Sequence, residues 1–180
     1  MHPFAAERWF SWVGNQLPGG EGRFTHPPVG GSSKYLAKLL WKSLGGAGML
    51  NGVLGKEMRL LPSSIFGLRD TPVTGPQALH TDWQRSKAVK YANDSAHMPL
   101  SILWACSKPF LLRIGKYGPH AAKVETVNPG EMIVFRGDLR HGGGGHVTHA
   151  FRVHGYIARK GDKRPVHIYY TSPRARYAAG

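Results

Sequence analysis

A histidine and an aspartate two positions apart are the first residues of this chain whose types could bind a metal. They are His80 and Asp82, within residues 77–83. In a β-strand, side chains two positions apart point to the same face, so the imidazole and the carboxylate would be adjacent ligands. With ten histidines and ten acidic residues in the chain, such a pair arises by chance about as often as not. The pair alone is a weak indication of a metal site.

A further histidine follows a segment with clear turn chemistry, residues 128–141. An Asn-Pro-Gly turn begins an apolar run, a Gly-Asp turn ends it, and His141 follows. If His141 lies on a strand beside His80 and Asp82, two imidazoles and one carboxylate face a single metal. This set leaves open positions and is typical of non-haem Fe(II) oxygenases, in which a bidentate keto acid and O2 must bind together.

An arginine follows His141 by 11 positions, on a predicted strand. Along residues 151–157, Arg152, His154 and Tyr156 alternate with mostly apolar residues, so the three share one face. A buried arginine without a partner is costly, and a guanidinium suits bidentate binding of a carboxylate. We therefore interpret Arg152 as the partner of the far carboxylate of 2-oxoglutarate.

Two other histidines compete with His141 for the second imidazole position. His146 and His149 precede Arg152 by only six and three positions, which is too short for a strand, a turn and a return strand. His141 also follows the Gly-Asp turn directly, and it is the favoured ligand. His154 is interpreted as a core histidine rather than a substrate contact.

Short β-like runs separated by turn residues begin at about residue 57. The predicted strands are residues 58–61, 65–68, 78–82, 100–105, 110–114, 122–127, 132–135, 151–158 and 167–170. Many short strands with regular turn signals favour an antiparallel barrel or jelly roll. The four glycines at 142–145 predict a flexible or closely packed loop.

One amphipathic helix is predicted before the strands, over about residues 33–44, with Ser32 or Ser33 as its cap and Gly45-Gly46 at its end. Its apolar face consists of Leu36, Leu39, Leu40 and Leu44. A lysine stripe, Lys34, Lys38 and Lys42, is interpreted as a solvated face. A short helix or docking segment is predicted around residues 9–13.

The bulk composition restricts the class of protein. The net charge of +14 is spread along the chain and permits a nucleic-acid partner without requiring one. A single cysteine, Cys106, excludes an internal disulfide framework and a cysteine-rich zinc site. We find neither a signal peptide nor a membrane-spanning run, and we expect a soluble intracellular protein.

From about residue 60 to residue 157 the chain resembles the Fe(II)/2-oxoglutarate-dependent dioxygenases. The motifs that carry the resemblance are Gln-x-Leu-His-x-Asp and Pro-Gly-Glu-x-x-x-Phe-x-Gly-Asp-x-x-His, followed by the distal arginine. They are most similar to uncharacterised and phytanoyl-hydroxylase-like branches. The resemblance implies a mainly β double-stranded β-helix (a jelly roll, cupin-like) braced by N-terminal helices. It also implies Fe(II) on His80, Asp82 and His141, with 2-oxoglutarate on Arg152.

We accordingly predict an N-terminal helical or irregular support region (1–56), a catalytic β core (57–172) and a C-terminal tail (173–180). The expected reaction is hydroxylation of a small molecule or side chain by O2, with release of succinate and CO2. A nucleic-acid-modifying dioxygenase is one alternative. The alkylation-repair enzymes, however, carry a second arginine six residues after the first, where this chain has Ala158.

Two further alternatives use the metal site differently. A cupin-like metal-binding protein without 2-oxoglutarate activity remains open, because this fold hosts many functions. A zinc hydrolase would also accept two histidines and one carboxylate. The His-Glu-x-x-His motif that would supply its general base is absent from the sequence. Arg152 argues against both alternatives, since neither needs a carboxylate clamp beside the metal.

Overall fold

The part of the chain that the structure describes folds into two antiparallel β-sheets with an α-helix packed beside one of them. The computed structural model describes residues 15–16, 23–26, 28, 32–45, 54–72, 74–84, 88–91, 93–115, 123–162 and 169–170. The elements in chain order are β1 (Asn15–Gln16), β2 (Arg23–His26), α1 (Ser32–Ser43), β3 (Met58–Leu60), β4 (Phe66–Asp70), β5 (His80–Thr81), β6 (Leu100–Ala105), β7 (Phe110–Gly115), β8 (Lys123–Val127), β9 (Met132–Arg136), β10 (Arg140–Gly143), β11 (Ala150–Arg159) and β12 (Tyr169–Tyr170). Short 3₁₀ turns lie at Pro62–Ser64 and Ser95–His97.

The chain passes back and forth between the two sheets. The first sheet has the order β1-β2-β4-β11-β6-β9, with β3 also paired to β11, and the second has the order β12-β5-β10-β7-β8. Strands β4, β6, β9 and β11 thus belong to one sheet, and β5, β7, β8 and β10 to the other. This interleaving of eight antiparallel strands defines a double-stranded β-helix. The predicted mainly β jelly roll is confirmed.

The space between the sheets is filled by apolar side chains from both. Leu68 and Leu103 of the first sheet pack against Phe110 and Leu112 of the second. Strand β7 shows the expected alternation, because Phe110 and Leu112 are buried whereas Leu111 between them is 37% exposed.

The helix α1 covers the outer face of the first sheet. Leu36 and Leu40 pack in one cluster with Ile102, Trp104 and Val153 of strands β6 and β11. Both faces of these central strands are therefore covered, which explains why β6 and β11 are buried almost along their whole length. The helix ends as predicted: Gly45 has a φ of 64°, the left-handed conformation that glycine adopts without strain. Its predicted lysine stripe, Lys34, Lys38 and Lys42, is exposed.

The predicted elements match most of the observed ones, with three differences. The predicted strand 78–82 is shortened to β5, His80–Thr81. Strands β1 and β2 were not predicted. The glycine run was predicted as a loop, whereas its first two residues belong to β10, Arg140–Gly143.

Other expectations lie beyond what the structure tests. The segment around residues 9–13 is outside the described residues, and of the predicted strand 167–170 only β12 is described. The division into 1–56, 57–172 and 173–180 stays a prediction. Among the described residues, no helix has the length and hydropathy that a membrane crossing requires.

Candidate metal centre

Strand β5 supplies the first two candidate ligands. His80 lies on β5 and Asp82 follows it directly. Both side chains are buried, and the Nε2 atom of His80 lies 4.0 Å from Oδ1 of Asp82. The expected common orientation of the two side chains is present although the strand is shorter than predicted.

The third candidate ligand comes from the neighbouring strand of the same sheet. His141 on β10 is the register partner of His80 on β5. Directly paired residues of antiparallel strands project their side chains to the same face, and the two imidazole rings lie 4.5 Å apart between centroids. The Nε2 atom of His141 lies 3.6 Å from Oδ2 of Asp82. Sheet pairing thus unites residues about 60 positions apart in the sequence.

Main-chain hydrogen bonds fix the tautomers of both imidazoles. Nδ1 of His80 donates to the carbonyl oxygen of Ala78 at 2.9 Å, and Nδ1 of His141 donates to that of Leu139 at 2.9 Å. Because a carbonyl only accepts, the proton of each neutral ring resides on Nδ1, and Nε2 is the unprotonated nitrogen that a metal ligand requires. This outer hydrogen bond is the usual support of a histidine ligand.

The electrostatics of the site keep His80 and Asp82 in the form that binds metals. Burial, together with the nearby imidazole of His141, lowers the pKa of His80 to about 4, so that its ring is neutral near pH 7. Burial alone would raise the pKa of Asp82. The adjacent imidazoles of His141, His154 and His80 outweigh it, and the pKa of Asp82 lies below its ordinary value. A metal ion therefore has few protons to displace.

The donor set fits a divalent transition metal. The ligand atoms of His80, Asp82 and His141 all lie within 4.8 Å of one another, and all three residues are buried. Two imidazole nitrogens and one carboxylate oxygen on one face suit Fe(II), Ni(II) or Zn(II). The structure thus brings together the three residues that the sequence nominated as ligands.

Asp82 has further contacts that sequence reasoning did not foresee. The hydroxyl of Ser101 on β6 donates to its Oδ2 at 2.5 Å, and Nε2 of His154 on β11 lies 3.4 Å from the same oxygen. The hydroxyl of Tyr156 reaches Oδ1 at 3.4 Å. His154 was interpreted as a core histidine; it is buried, and it also faces the candidate ligand. The alternation along 151–157 placed His154 and Tyr156 on one face, and that signal could have indicated their contact with the site.

Arg152 lies on the same face of β11 as His154 and forms an ion pair with Asp70. Its Nη1 donates to Oδ2 of Asp70, and its guanidinium lies 5.1 Å from the centroid of the Phe110 ring. Asp70 also accepts a hydrogen bond from Nε of Arg23 at 2.5 Å. Burial would raise the pKa of Asp70, yet Arg152 and Arg23 together hold that pKa below its ordinary value.

The rival histidines lie away from the three candidate ligands. Nε2 of His146 is 3.2 Å from Oδ2 of Asp70. This ring therefore lies beside the buried group of Arg23, Asp70 and Arg152, which we call the arginine cluster. Burial lowers the pKa of His146, with a partial opposing effect from Asp70. His149 is exposed. Asp138, predicted to form the turn, pairs with Arg136 at the surface.

Comparison with solved structures identifies proteins of similar fold. HygX from Streptomyces hygroscopicus, whose structure contains nickel and 2-oxoglutarate, has a TM-score of 0.59 and 13% sequence identity, and the match covers 87% of this chain and 82% of HygX. The cupin-2 domain protein Rru_A2000 from Rhodospirillum rubrum has a TM-score of 0.47 and 9% identity, with coverage of 95% and 82%. The polyketide cyclase RemF from Streptomyces resistomycificus has a TM-score of 0.44 and 12% identity, with coverage of 92% and 84%.

The likeness to HygX supports the class of fold. Of the three, HygX alone exceeds a TM-score of 0.5, and at its low identity the similarity concerns the fold. Together with the strand order it shows that the chain has a jelly-roll fold. No protein-family model matches the chain, and no curated protein matches it in sequence.

Proposed function

We propose that this protein is an Fe(II)- and 2-oxoglutarate-dependent dioxygenase that hydroxylates a small molecule or a side chain and releases succinate and CO2. The observation that carries the proposal is the buried set of His80, Asp82 and His141, in which the Nδ1 proton of each imidazole is held by a carbonyl oxygen and Nε2 is the unprotonated nitrogen. HygX, which has a similar fold and holds nickel and 2-oxoglutarate, adds support. The phytanoyl-hydroxylase-like sequence motifs agree with this assignment.

The three ligand residues would hold Fe(II) through the two Nε2 atoms and the Asp82 carboxylate. Three protein ligands leave positions for a bidentate keto acid and O2. When bound, iron and 2-oxoglutarate supply the activation of O2 that oxidises a substrate C–H bond. The chain itself supplies fixed ligand orientation and a site from which bulk water is excluded, as the burial of all three residues indicates.

Arg152 is the proposed partner of the far carboxylate of 2-oxoglutarate, and its pair with Asp70 leaves room for that role. A guanidinium carries five N–H donors, and Asp70 engages the Nη1 group. Among the described residues, none accepts a hydrogen bond from Nε or Nη2 of Arg152. The N–H groups of these two nitrogens can therefore donate to a second carboxylate. Its burial against Phe110 reduces screening by water and strengthens such a contact.

The test measures succinate formation from 2-oxoglutarate in air with added Fe(II), over a panel of candidate substrates. We expect turnover by the wild type and by Asp138→Asn, a surface aspartate control, and none by Asp82→Ala. Equal succinate formation by the wild type and Asp82→Ala would refute the assignment.

Arg152 is tested separately by calorimetric titration of 2-oxoglutarate into Ni(II)-loaded protein. We expect Arg152→Ala to weaken 2-oxoglutarate binding at least tenfold while nickel binding persists, because a lost charge-assisted bidentate contact is worth about 1.5–3 kcal/mol. An unchanged affinity would remove Arg152 from this role.

A second candidate function is a cupin-type metal-binding protein that does not use 2-oxoglutarate. The Arg152–Asp70 ion pair favours it, since Arg152 already has a carboxylate partner inside the protein. The same titration separates the two functions. If the wild type binds nickel but shows no 2-oxoglutarate binding at millimolar concentration, the second function replaces the first.

A further inference from the structure

We propose that Ser101 and His154 are positioning residues that hold the Asp82 carboxylate by a single oxygen and thereby fix this ligand for the metal. The inference rests on the metal centre of the proposed function, and it requires neither 2-oxoglutarate nor a substrate. It concerns a contact between the two sheets: Asp82 follows β5 of the second sheet, whereas Ser101 and His154 lie on β6 and β11 of the first.

Ser101 and His154 both contact the same atom of Asp82, Oδ2. The Ser101 hydroxyl donates to Oδ2 at 2.5 Å and Nε2 of His154 lies 3.4 Å from it. Oδ1 has a weaker contact, the Tyr156 hydroxyl at 3.4 Å. It lies 4.0 Å from Nε2 of His80, while Oδ2 lies 3.6 Å from Nε2 of His141. A carboxylate that binds a metal through both oxygens must turn both towards it. The Ser101 hydrogen bond and the His154 ring beside Oδ2 oppose that rotation and favour attachment through one oxygen, which keeps other positions of the metal open.

The strand pairing holds the two donors in place. Within β6 and β11, Ser101 is the register partner of Tyr156, and His154 that of Leu103. Ser101 is completely buried, and a buried hydroxyl needs an acceptor. Among the described residues, the acceptor of the Ser101 hydroxyl is Asp82 alone. The position of Ser101 in a central strand therefore directs its hydroxyl at the Asp82 carboxylate.

His154 is assigned a supporting role rather than that of a fourth metal ligand. Among the described residues, the group whose donor atoms all lie within 4.8 Å of one another comprises His80, Asp82 and His141, without His154. With the His154 proton assigned to Nε2, which lies 3.4 Å from Oδ2 of Asp82, that nitrogen has no lone pair for a metal. The His154 ring is held by stacking on Phe66, 4.7 Å between centroids, and by the edge of Tyr156.

The first experiment measures Ni(II) affinity by calorimetry for Ser101→Ala, His154→Gln and a matched control, Ser107→Ala. The Ser107 hydroxyl also hydrogen-bonds to β11, accepting from the backbone N–H of Phe151, but it does not contact Asp82. We expect Ser101→Ala and His154→Gln to weaken nickel binding 10- to 100-fold, the usual effect of losing an outer partner of a ligand. Ser107→Ala should bind as the wild type does, and Ser101→Thr, which keeps the hydroxyl, should recover most of the loss.

The second experiment counts imidazole ligands by X-ray absorption of the nickel-loaded protein. We expect two imidazoles in both the wild type and His154→Gln. Three in the wild type and two in His154→Gln would make His154 a ligand and overturn its role. Wild-type affinity in Ser101→Ala would overturn the role of Ser101, and if Ser101→Ala does not fold, His154→Gln still decides whether Oδ2 must be held.

The two proposals fail in different ways. A wild type that binds nickel but not 2-oxoglutarate refutes the dioxygenase and leaves the positioning role of Ser101 and His154 to be judged by nickel affinity. A wild type that binds no nickel, or binds it equally well in His141→Ala, refutes the metal centre and the positioning role together.

Discussion

Replacing Asp70 by asparagine removes a charge that joins two buried arginines, Arg23 and Arg152. Asp70 and Arg23 are fully buried and Arg152 is 3% exposed. The carboxylate engages Arg152 through Oδ2 and Arg23 through Oδ1. Asparagine has nearly the same shape and keeps one oxygen acceptor, so the substitution changes charge and hydrogen bonding with little change in volume.

The expected loss of stability is large. Removing one partner of a buried ion pair costs about 3–5 kcal/mol because the remaining charge stays desolvated. Since asparagine still accepts one hydrogen bond, we expect about 3 kcal/mol for Asp70→Asn. A domain has about 5–15 kcal/mol of stability in total, so the change will be plain in urea unfolding followed by circular dichroism at pH 7.

The pH dependence has a defined sign. The pKa of Asp70 in the folded state lies below its ordinary value of 3.8, because the attraction of Arg152 and Arg23 outweighs burial. A lowered pKa gives stability that is fully present above the unfolded pKa and is lost as the pH falls through the folded pKa. The stability difference between wild type and Asp70→Asn should therefore be constant near neutral pH and shrink below about pH 4.

The control is Asp138→Asn, which removes a carboxylate paired with Arg136 at the surface. Exposed pairs contribute about 0–1 kcal/mol, so this variant should unfold almost as the wild type does. If Asp70→Asn is as stable as Asp138→Asn at pH 7, the two buried ion pairs do not stabilise the fold and the reasoning is wrong.

Two further predictions concern the strand beside Arg23 and the metal. A Cβ on Gly143 would lie 2.6 Å from Nη2 of Arg23, which Asp70 holds in place, whereas a Cβ on Gly75 would meet no atom within 4 Å. Urea unfolding should therefore show Gly143→Ala to be about 1–3 kcal/mol less stable and Gly75→Ala unchanged or slightly more stable; equal stabilities would contradict this packing. Ni(II) at 100 times its dissociation constant should stabilise the wild type by about 2.7 kcal/mol, seen as a higher melting temperature, and His141→Ala should lose this gain.

The jelly roll and the close placement of the three candidate ligands could be predicted from the sequence because their signals are local, and the ligand roles themselves stay a prediction. The His-x-Asp pair needs only the two-residue period of a strand, and it remains effective although β5 is just His80–Thr81. Turn residues marked the ends of β9, and the position of His141 after a Gly-Asp turn led to the correct neighbour of His80. The prediction succeeded where strand period and turn chemistry were sufficient.

The arginine cluster of Arg23, Asp70 and Arg152 could not be predicted, because charged side chains are seldom buried as these are. Arg23 is completely buried, whereas arginine is almost never fully buried unless it is paired. Its partner Asp70 is 47 positions away, and no local pattern indicates that distance. The continuation of strand β10 into the glycine run was missed for a related reason. Glycine is depleted in strands. These two strand positions nevertheless require glycine, because a Cβ on Gly142 would lie too close to carbonyl oxygens and a Cβ on Gly143 too close to the Arg23 side chain.

The sign of one binding change distinguishes the two roles that Asp70 could have towards Arg152. If Asp70 aligns the guanidinium so that Nε and Nη2 receive the far carboxylate of 2-oxoglutarate, Asp70→Asn will weaken 2-oxoglutarate binding to the nickel-loaded protein. Asp70 could instead occupy the place that a ligand carboxylate would need. In that case Asp70→Asn removes the negative charge that competes for Arg152, and 2-oxoglutarate will bind more tightly. Nickel affinity should stay the same in both cases, because the contacts of Asp82 do not include Asp70. Weaker binding of 2-oxoglutarate therefore favours the dioxygenase, whereas tighter binding identifies Asp70 as an internal substitute for the cosubstrate.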